Sequence, residues 1–257
     1  MTIQLFIRIF SSRNYLLVSI HSIIIFSFFI SQSFAQEKLK VNYKHLVYLP
    51  KNYNTDTSKY PLVIYLHGGS QKGNDLEKLK IYGLPYLVDQ GKEFNFIMIA
   101  PQCPEGKYWS TENWFDSLYD EVTSNYRIDK SRVYVTGISM GGYGTYMAAM
   151  DHPEKIAAIV PLCGGINDTG ITRICTLKDI PILTYHGTAD YDISIHETER
   201  IEASLKKCNG NITFHRIQGE GHGIQYLYET KPEIYEWLLK QRKSIHIDTT
   251  IKKIPNN

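Results

Sequence analysis

The sequence predicts an α/β fold, with a single domain built on a mostly parallel sheet and helices on both faces. Short apolar runs recur along the chain and end in Gly, Pro or polar loops, and helix-like stretches lie between them. The runs are apolar throughout, as expected of parallel strands that are covered on both faces. Right-handed crossovers then place the loops that follow the strands along one edge of the sheet, where ligands bind in such folds.

The predicted elements follow one another in a regular order. An alternating run at Val41–Leu49 predicts an edge strand. The later strands are predicted at Leu62–Leu66, Phe96–Ala100, Arg132–Thr136, Ala157–Leu162, Ile182–Tyr185 and Ile212–Ile217. Helices are predicted at Leu76–Gln90, Trp114–Tyr126, Tyr143–Asp151, His196–Lys207 and Lys231–Arg242. Each strand except the first thus precedes a loop or helix that can return the chain to a parallel neighbour.

Residues 1–35 have the pattern of a secretory signal peptide. Arg8 and Arg13 precede the mostly apolar run Tyr15–Ile30, and the small residues Ser33 and Ala35 then provide a cleavage site. The alternative is an uncleaved membrane anchor, but the run is short for the ~20 residues that span a bilayer. We therefore expect export to the periplasm or the extracellular space, cleavage near Ala35 and no stable membrane anchor.

The remainder divides into a domain at residues 36–242 and a polar tail at residues 243–257. The 257-residue chain is 43% hydrophobic and 21% charged, which is ordinary for a globular protein. It has 28 Lys and Arg against 26 Asp and Glu, and loss of Arg8 and Arg13 with the leader makes the two counts equal. A neutral body has no overall field for a polyanion, so nucleic acid is not expected as a partner.

The strongest motif is Gly137-Ile138-Ser139-Met140-Gly141, which lies between a predicted strand and a predicted helix. A G-x-S-x-G sequence in this context places Ser on a strained turn, with its hydroxyl exposed at the sheet edge. The glycines are needed because side chains would collide with the tight backbone. Ser139 is therefore the predicted nucleophile.

A serine nucleophile needs a base and a carboxylate that orients the base. The strand Ile182–Tyr185 leads into a loop that contains Asp190, and the strand Ile212–Ile217 leads into a loop that contains His222. Both loops follow strands and therefore belong to the same sheet edge. Asp192 is an alternative to Asp190 as the orienting carboxylate.

From about Val41 to Arg242, the chain resembles the α/β-hydrolase superfamily. The resemblance is closest to secreted esterases of the dienelactone-hydrolase, feruloyl-esterase and carboxylesterase-like group, which are often labelled prolyl-oligopeptidase-like. The matching stretches are Tyr60–Gly69, Ala100–Pro104, Gly137–Gly144, Pro161–Gly165, His186–Asp190 and Gly221-His222. In that superfamily the acid and then the histidine follow the nucleophile, which agrees with Asp190 and His222.

The resemblance also implies an oxyanion hole and identifies two departures from the usual pattern. Backbone amides of Met140 and Gly69 are the expected oxyanion donors. The chain lacks the Val-Pro that usually follows the acid. It has Gly223-Ile224-Gln225 where relatives tend to have Asp-Ser-Trp after the histidine. No cofactor is implied.

Other motifs for cofactors and metals are missing from the sequence. There is no H-E-x-x-H, no paired C-x-x-C, no acidic Ca²⁺ loop and no phosphate-binding G-x-x-x-x-G-K motif, so no metal site is expected. His67 and His186 are expected to be structural hydrogen-bonding groups. An aromatic cluster that includes Trp109 and Trp114 follows a strand, so these two residues are candidates for substrate binding. The alternative is that the cluster packs a long loop onto the body.

The four cysteines are expected to form one disulfide. Cys103 and Cys163 each follow a strand and lie towards the active edge, on strands that this fold separates beyond the ~7 Å limit for a bridge. Cys175 precedes one strand and Cys208 precedes its neighbour, so both lie towards the opposite edge. Export permits a Cys175–Cys208 disulfide without requiring it, and four free thiols remain the alternative.

These observations predict an exported serine hydrolase that cleaves carboxylic esters through an acyl-enzyme. The interval Cys163–Pro181 is too short for a large helical cap, which favours short acyl or aromatic-acid esters, possibly attached to polysaccharides. A peptidase acting on short peptides and a non-catalytic binding relative are the alternatives. The sequence does not indicate an oligomeric state.

Overall fold

The computed structural model describes residues 41–243 and contains a seven-stranded sheet in the order β1-β3-β2-β4-β5-β6-β7. The strands are β1 (His45–Tyr48), β2 (Tyr60–Leu66), β3 (Ile97–Pro101), β4 (Ile128–Ile138), β5 (Ala158–Leu162), β6 (Ile182–Gly187) and β7 (Ile212–Ile217). Strand β1 pairs with β3 in the antiparallel direction, and every other pairing is parallel. The predicted fold class is confirmed. The predicted leader at residues 1–35 and tail at residues 243–257 lie outside the described residues, apart from Lys243.

The helices cover both faces of the sheet. They are α1 (Gly83–Asp89), α2 (Trp114–Asn125), α3 (Met140–Asp151), α4 (Asp168–Ile171), α5 (His196–Lys207), α6 (Leu227–Thr230) and α7 (Glu233–Lys240). Short 3₁₀ turns occur at Gly69–Gln71, Leu76–Lys80, Ile174–Leu177 and Ile224–Tyr226. Within residues 41–243, no helix is both long enough and apolar enough to cross a membrane.

Strand β2 shows why two cores form. Successive side chains of a strand point to opposite faces. Leu62, Ile64 and Leu66 enter a core that α2, α3 and α5 cover, whereas Val63 and Tyr65 enter a second core beneath α1, α6 and α7. All five side chains are fully buried. An uninterrupted apolar strand is therefore the sequence signature of a central position in this sheet.

One predicted helix is divided in two by a glycine. Leu76–Gln90 forms a 3₁₀ turn at Leu76–Lys80 and then α1. Gly83, the first residue of α1, has a φ of +80°, and a Cβ at this position would lie 1.9 Å from the hydroxyl of Tyr65. This backbone conformation and close approach favour glycine, and they end the helical path that the sequence pattern predicts.

The carboxyl ends of the parallel strands meet along one edge of the sheet. Leu66 of β2 lies opposite Gly137 of β4, and Ile138 of β4 lies opposite Leu162 of β5. Gly187 at the end of β6 pairs with Ile217 at the end of β7. The loops that contain the candidate catalytic residues therefore all begin at this edge.

The disulfide lies away from those loops. Cys175 and Cys208 are joined, with 5.9 Å between their Cα atoms and a sequence separation of 33 residues. Cys175 is in the 3₁₀ turn before β6, and Cys208 directly follows α5, which leads into β7. Cys103 and Cys163 are free and buried.

We expect the double variant Cys175→Ser/Cys208→Ser to lose about 3–4 kcal/mol of unfolding free energy, since the bridge restricts the unfolded chain. Urea unfolding of the oxidised protein and of the variant measures the difference. Reductant should lower the stability of the unmodified protein to that of the variant and should leave the variant unchanged. Equal stabilities of the oxidised protein and the variant would contradict the expectation.

Candidate active site

Ser139 lies on a sharp turn between β4 and α3. Its backbone has φ of 59° and ψ of −121°, a combination that residues with a Cβ rarely adopt. The turn is compact because α3 begins against the end of β2. A Cβ on Gly141 would lie 1.9 Å from the carbonyl oxygen of Leu66, and one on Gly137 would lie 2.5 Å from the same oxygen. The two glycines therefore permit the contact that exposes the serine.

A continuous hydrogen-bonded chain joins the three predicted catalytic residues. His222 Nε2 lies 2.8 Å from Ser139 Oγ, and His222 Nδ1 lies 2.7 Å from Asp190 Oδ2. Because an ionised carboxylate can only accept, Nδ1 carries the proton and Nε2 accepts the serine hydroxyl. This is the arrangement in which an imidazole can remove the serine proton.

Asp190 is held as a carboxylate by its surroundings. Its Oδ1 accepts the backbone N–H groups of Asp192 at 3.0 Å and Ile193 at 2.9 Å. Its Oδ2 accepts from His222 and lies 3.2 Å from His186 Nε2. Burial favours the neutral acid, but the hydrogen bonds from Ile193 and His222 outweigh it, and the pKa of Asp190 is lowered.

The acid loop and the histidine loop are bonded directly to each other. The N–H of Ala189 donates to the carbonyl of Glu220 at 2.8 Å, and the N–H of Gly219 donates to the hydroxyl of Thr188 at 2.8 Å. A Cβ on Gly187 would lie 2.3 Å from the Glu220 oxygen. These contacts fix the separation of the two loops and hence the 2.7 Å contact between their side chains.

Asp192, the alternative acid, contributes through its backbone. Its carboxylate is exposed and lies within 4.8 Å of the nearest ligand atoms of Asp190 and His222. The hydrogen bond to the imidazole comes from Asp190, and Asp192 donates its N–H to that carboxylate. The geometry therefore favours Asp190 as the orienting residue.

The two predicted oxyanion donors each begin a helical turn. Met140 is the first residue of α3. The N–H of Tyr143, three residues later, donates to the carbonyl of Ser139 at 3.1 Å. Gly69 begins the 3₁₀ turn Gly69–Gln71. Amides at a helix start have no acceptor within the helix and can bind an anion. A Cβ on the adjacent Gly68 would lie 3.7 Å from the Cβ of Ser139, so this turn is close to the serine.

Two buried histidines have structural contacts. His67 Nε2 accepts the backbone N–H of Cys103 at 2.9 Å, and burial lowers the pKa of His67 to about 4. His186 Nε2 lies 2.9 Å from the carbonyl of Ile193. Burial lowers the pKa of His186 as well, although Ile193 and the Asp190 carboxylate oppose this shift. Both imidazoles are therefore neutral supports of the loops around the site.

Two groups in the described part of the chain bring potential metal ligands within 4.8 Å of one another. They are Cys163 with His186 and Asp190, and Asp190 with Asp192 and His222. Both groups depend on Asp190, whose two oxygens already accept hydrogen bonds from the triad histidine and the loop amides. Burial raises the pKa of the Cys163 thiol and thus disfavours the thiolate that binds metals.

A cavity of about 330 Å³ opens beside Ser139. Most of its walls are apolar, and they are formed by Tyr108, Trp109, Met140, Tyr143, Met147, Ile166 and Ile193, with Ser110 and Asn167 as polar members. Met140, Tyr143 and Met147 lie on one face of α3, at the i, i+3 and i+7 spacing of a helix. This spacing is visible in the sequence and could have identified the wall, which the sequence analysis missed.

The two candidate tryptophans have different positions. Trp109 forms part of the cavity wall, where its indole N–H donates to the carbonyl of His67 at 3.1 Å. Trp114 lies behind it, with 3% of its surface exposed, and donates to the carbonyl of Trp109 at 2.8 Å. Trp114 packs against Tyr43 and Trp109 and is not among the residues that line the cavity in the described part of the chain, so its contact with substrate stays a prediction.

Esterases are among the known proteins to which this chain is similar. The family described as phospholipase/carboxylesterase matches residues 110–229. A bifunctional acetylxylan esterase/xylanase of Neocallimastix patriciarum is 30% identical over 159 residues, which cover 60% of this chain and 22% of that protein. Feruloyl esterase D of Neurospora crassa is 27% identical over 185 residues, which cover 65% of this chain and 60% of the relative.

A solved structure shows the same fold over most of the chain. The crystal structure of a thermostable esterase matches with a TM-score of 0.63 and 28% identity, covering 77% of this chain and 59% of the other. The chain belongs to the α/β-hydrolase superfamily. This α/β-hydrolase is carboxylesterase-like, and it spans less than two thirds of the length of each of these three relatives.

We expect Gly141→Ala to destabilise the hydrolase by about 3 kcal/mol, because the added Cβ collides with the backbone of β2. Gly69→Ala is the matched control, since no atom lies within 4 Å of a Cβ at that position and the backbone N–H is retained. Urea unfolding of both variants tests the contrast. A Gly141→Ala variant as stable as Gly69→Ala would show that the contact does not restrict the turn.

Proposed function

We propose that this α/β-hydrolase is an exported serine esterase that cleaves carboxylic esters through an acyl-enzyme. The observation that carries the proposal is the chain Ser139–His222–Asp190, with contacts of 2.8 Å and 2.7 Å, next to an apolar cavity. A hydroxyl, a neutral imidazole and an ionised carboxylate in this order are the parts that acyl transfer requires.

In the first half of the reaction, Ser139 Oγ attacks the acyl carbon while His222 Nε2 takes the hydroxyl proton. Asp190 orients His222 and stabilises the imidazolium through Nδ1–H. The negative charge on the former carbonyl oxygen is stabilised by the N–H groups of Met140 and Gly69. The C–O bond to the alcohol then breaks, and His222 returns the proton to the departing oxygen.

In the second half, water replaces the alcohol. His222 Nε2 removes a proton from water, and the hydroxide attacks the acyl carbon of the Ser139 ester. The same amides stabilise the second oxyanion. Collapse releases the carboxylic acid and returns the proton to Ser139, so no redox partner is consumed.

Short acyl or aromatic-acid esters fit the site best. Between β5 and β6 the chain forms only α4 and one 3₁₀ turn, and these do not build a large helical cap. The apolar cavity of about 330 Å³ next to the serine can accept a compact acyl group. The names of the acetylxylan and feruloyl esterase relatives support the same choice and suggest an ester on a polysaccharide.

Export is proposed from the leader pattern at residues 1–35 and agrees with an extracellular polymer as substrate. A disulfide between Cys175 and Cys208 is compatible with an oxidising compartment. Both observations concern location, and neither affects the chemistry proposed for the triad.

The proposal predicts a clear order of substrates. Acetate and butyrate esters of p-nitrophenol, together with methyl ferulate, should have kcat/KM values at least about ten-fold above those of laurate and palmitate esters. The physical reason is that a long chain extends beyond the compact cavity and finds no cap to cover it. Steady-state assays of the purified protein measure the order.

Ser139→Ala should lower kcat on the best ester by about 10³-fold or more, because the nucleophile is removed. Ser124→Ala, at an exposed serine of α2, is the matched control and should behave as the unmodified enzyme. Faster turnover of the long-chain esters would contradict the proposed acyl preference. Preferred cleavage of peptide anilides would favour a peptidase, and no turnover of any ester would favour a non-catalytic relative.

A further inference from the structure

A second cavity, of about 140 Å³, lies between α1 and the turn that follows His222. We call it the tyrosine groove and define it by Tyr82, Tyr86, Gln225, Tyr226 and Glu229, which all line it. Its two sides come from loops that follow β2 and β7, at the edge of the sheet that contains the triad. None of its lining residues has a role in the chemistry described above.

The groove lies beside the turn that contains Gly69. The hydroxyl of Tyr82 lies 3.1 Å from the hydroxyl of Ser70, in the turn that contains the oxyanion donor Gly69. A Cβ on Gly68 would lie 2.9 Å from the Tyr82 hydroxyl and 3.7 Å from the Cβ of Ser139. Gly68 is therefore close both to the Tyr82 hydroxyl and to Ser139.

The position of the groove assigns it to the alcohol part of an ester. His222 must deliver its proton to the departing alcohol, so this alcohol has to lie next to the imidazole. Gln225 lies three residues after His222 and forms part of the groove. The apolar cavity is lined by Met140, Tyr143 and Met147 of α3, away from this groove, and its apolar walls suit an acyl chain.

The groove offers flat apolar faces together with hydroxyl groups. The side chains of Tyr86 and Tyr226 are 36% and 38% exposed, so both rings are accessible to a ligand. A tyrosine ring can pack against the C–H face of a sugar, and its hydroxyl can bond a sugar hydroxyl.

The charges around the groove favour a neutral ligand. Glu229 lines it, and no basic residue is among its lining residues in the described part of the chain. Burial, followed by the negative charge of Glu220 and a hydrogen bond to it, raises the pKa of the Tyr226 hydroxyl, so Glu220 adds a second acidic group. An anionic ligand would be repelled by both carboxylates.

We propose that the tyrosine groove binds the neutral sugar ring whose hydroxyl carries the ester, and so selects acylated neutral glycans over other esters. This inference rests on the proposed esterase function and identifies the alcohol side of the same reaction. Tyr86 and Tyr226 pack against the sugar, and Gln225 and the Tyr82 hydroxyl bond its free hydroxyls. Polymers of uronic acids are excluded by Glu229 and Glu220.

The test compares one acyl group on two alcohols. The ratio of kcat/KM for acetylated xylo-oligosaccharide to kcat/KM for ethyl acetate reports the contribution of the sugar and cancels changes in the triad. We expect Tyr86→Ala and Tyr226→Ala each to lower this ratio by about ten-fold, as loss of a stacked ring should. Val47→Ala, at an exposed residue of the edge strand β1, is the matched control and should not change it.

A second measurement does not depend on turnover. Calorimetric titration of Ser139→Ala with xylotetraose should show binding that Tyr226→Ala weakens, whereas an oligogalacturonide of the same length should not bind. Because both tyrosines are exposed, the variants should unfold at the same temperature as the unmodified protein, which a thermal scan checks.

Three results would overturn the inference. The first is an unchanged ratio in both tyrosine variants. The second is a kcat/KM of the unmodified enzyme that is no higher for the sugar ester than for ethyl acetate. The third is binding of the uronic acid oligomer that is as tight as binding of xylotetraose. Each leaves the esterase proposal intact if ethyl acetate is hydrolysed. Failure to hydrolyse either ester would overturn both proposals together.

Discussion

The contact between the start of α3 and the end of β2 is the constraint on which the site depends. The absence of side chains at Gly137 and Gly141 lets the helix approach the carbonyl of Leu66 at a distance that no Cβ would permit. This approach holds Ser139 in its unfavourable backbone conformation at the start of α3. The strain at the serine is therefore supported by buried strands on both sides of the turn, and the same packing arrangement positions the proposed nucleophile and the proposed oxyanion donor Met140.

A second close contact, between the loops after β6 and β7, brings the acid to the histidine. Gly187 permits the backbone of Glu220 to lie against it, and two hydrogen bonds between the loops fix their spacing. Asp190 is in turn surrounded by donors that keep it ionised despite burial. The triad thus depends on two glycine-mediated backbone contacts at the same sheet edge. The apolar cavity and the tyrosine groove are lined by different loops of that edge, so the acyl and alcohol recognition proposed for them can vary separately from the chemistry.

The sequence predicted the fold, and it predicted the three residues that the structure joins by hydrogen bonds, because both have local signatures. Apolar strands identified the sheet, and the loops after β4, β6 and β7 contained Ser139, Asp190 and His222. What could not be predicted depends on long-range packing. The helix expected at Leu76–Gln90 is interrupted before Gly83, which meets Tyr65 of β2, and Trp114 packs behind Trp109, which lines the cavity. A sequence pattern identifies an aromatic cluster near the site, but it does not distinguish the ring that faces the cavity from the one behind it.

We propose that Ser139 is a nucleophile activated by His222. Peptide mass spectrometry after reaction with a fluorophosphonate tests it most directly, because the reagent forms a stable covalent bond with an activated serine. We expect a single adduct on the peptide that contains Ser139, lost in Ser139→Ala and formed much more slowly in His222→Ala. An unlabelled protein, an adduct on another serine, or a labelling rate that does not change in His222→Ala would contradict the role proposed for Ser139.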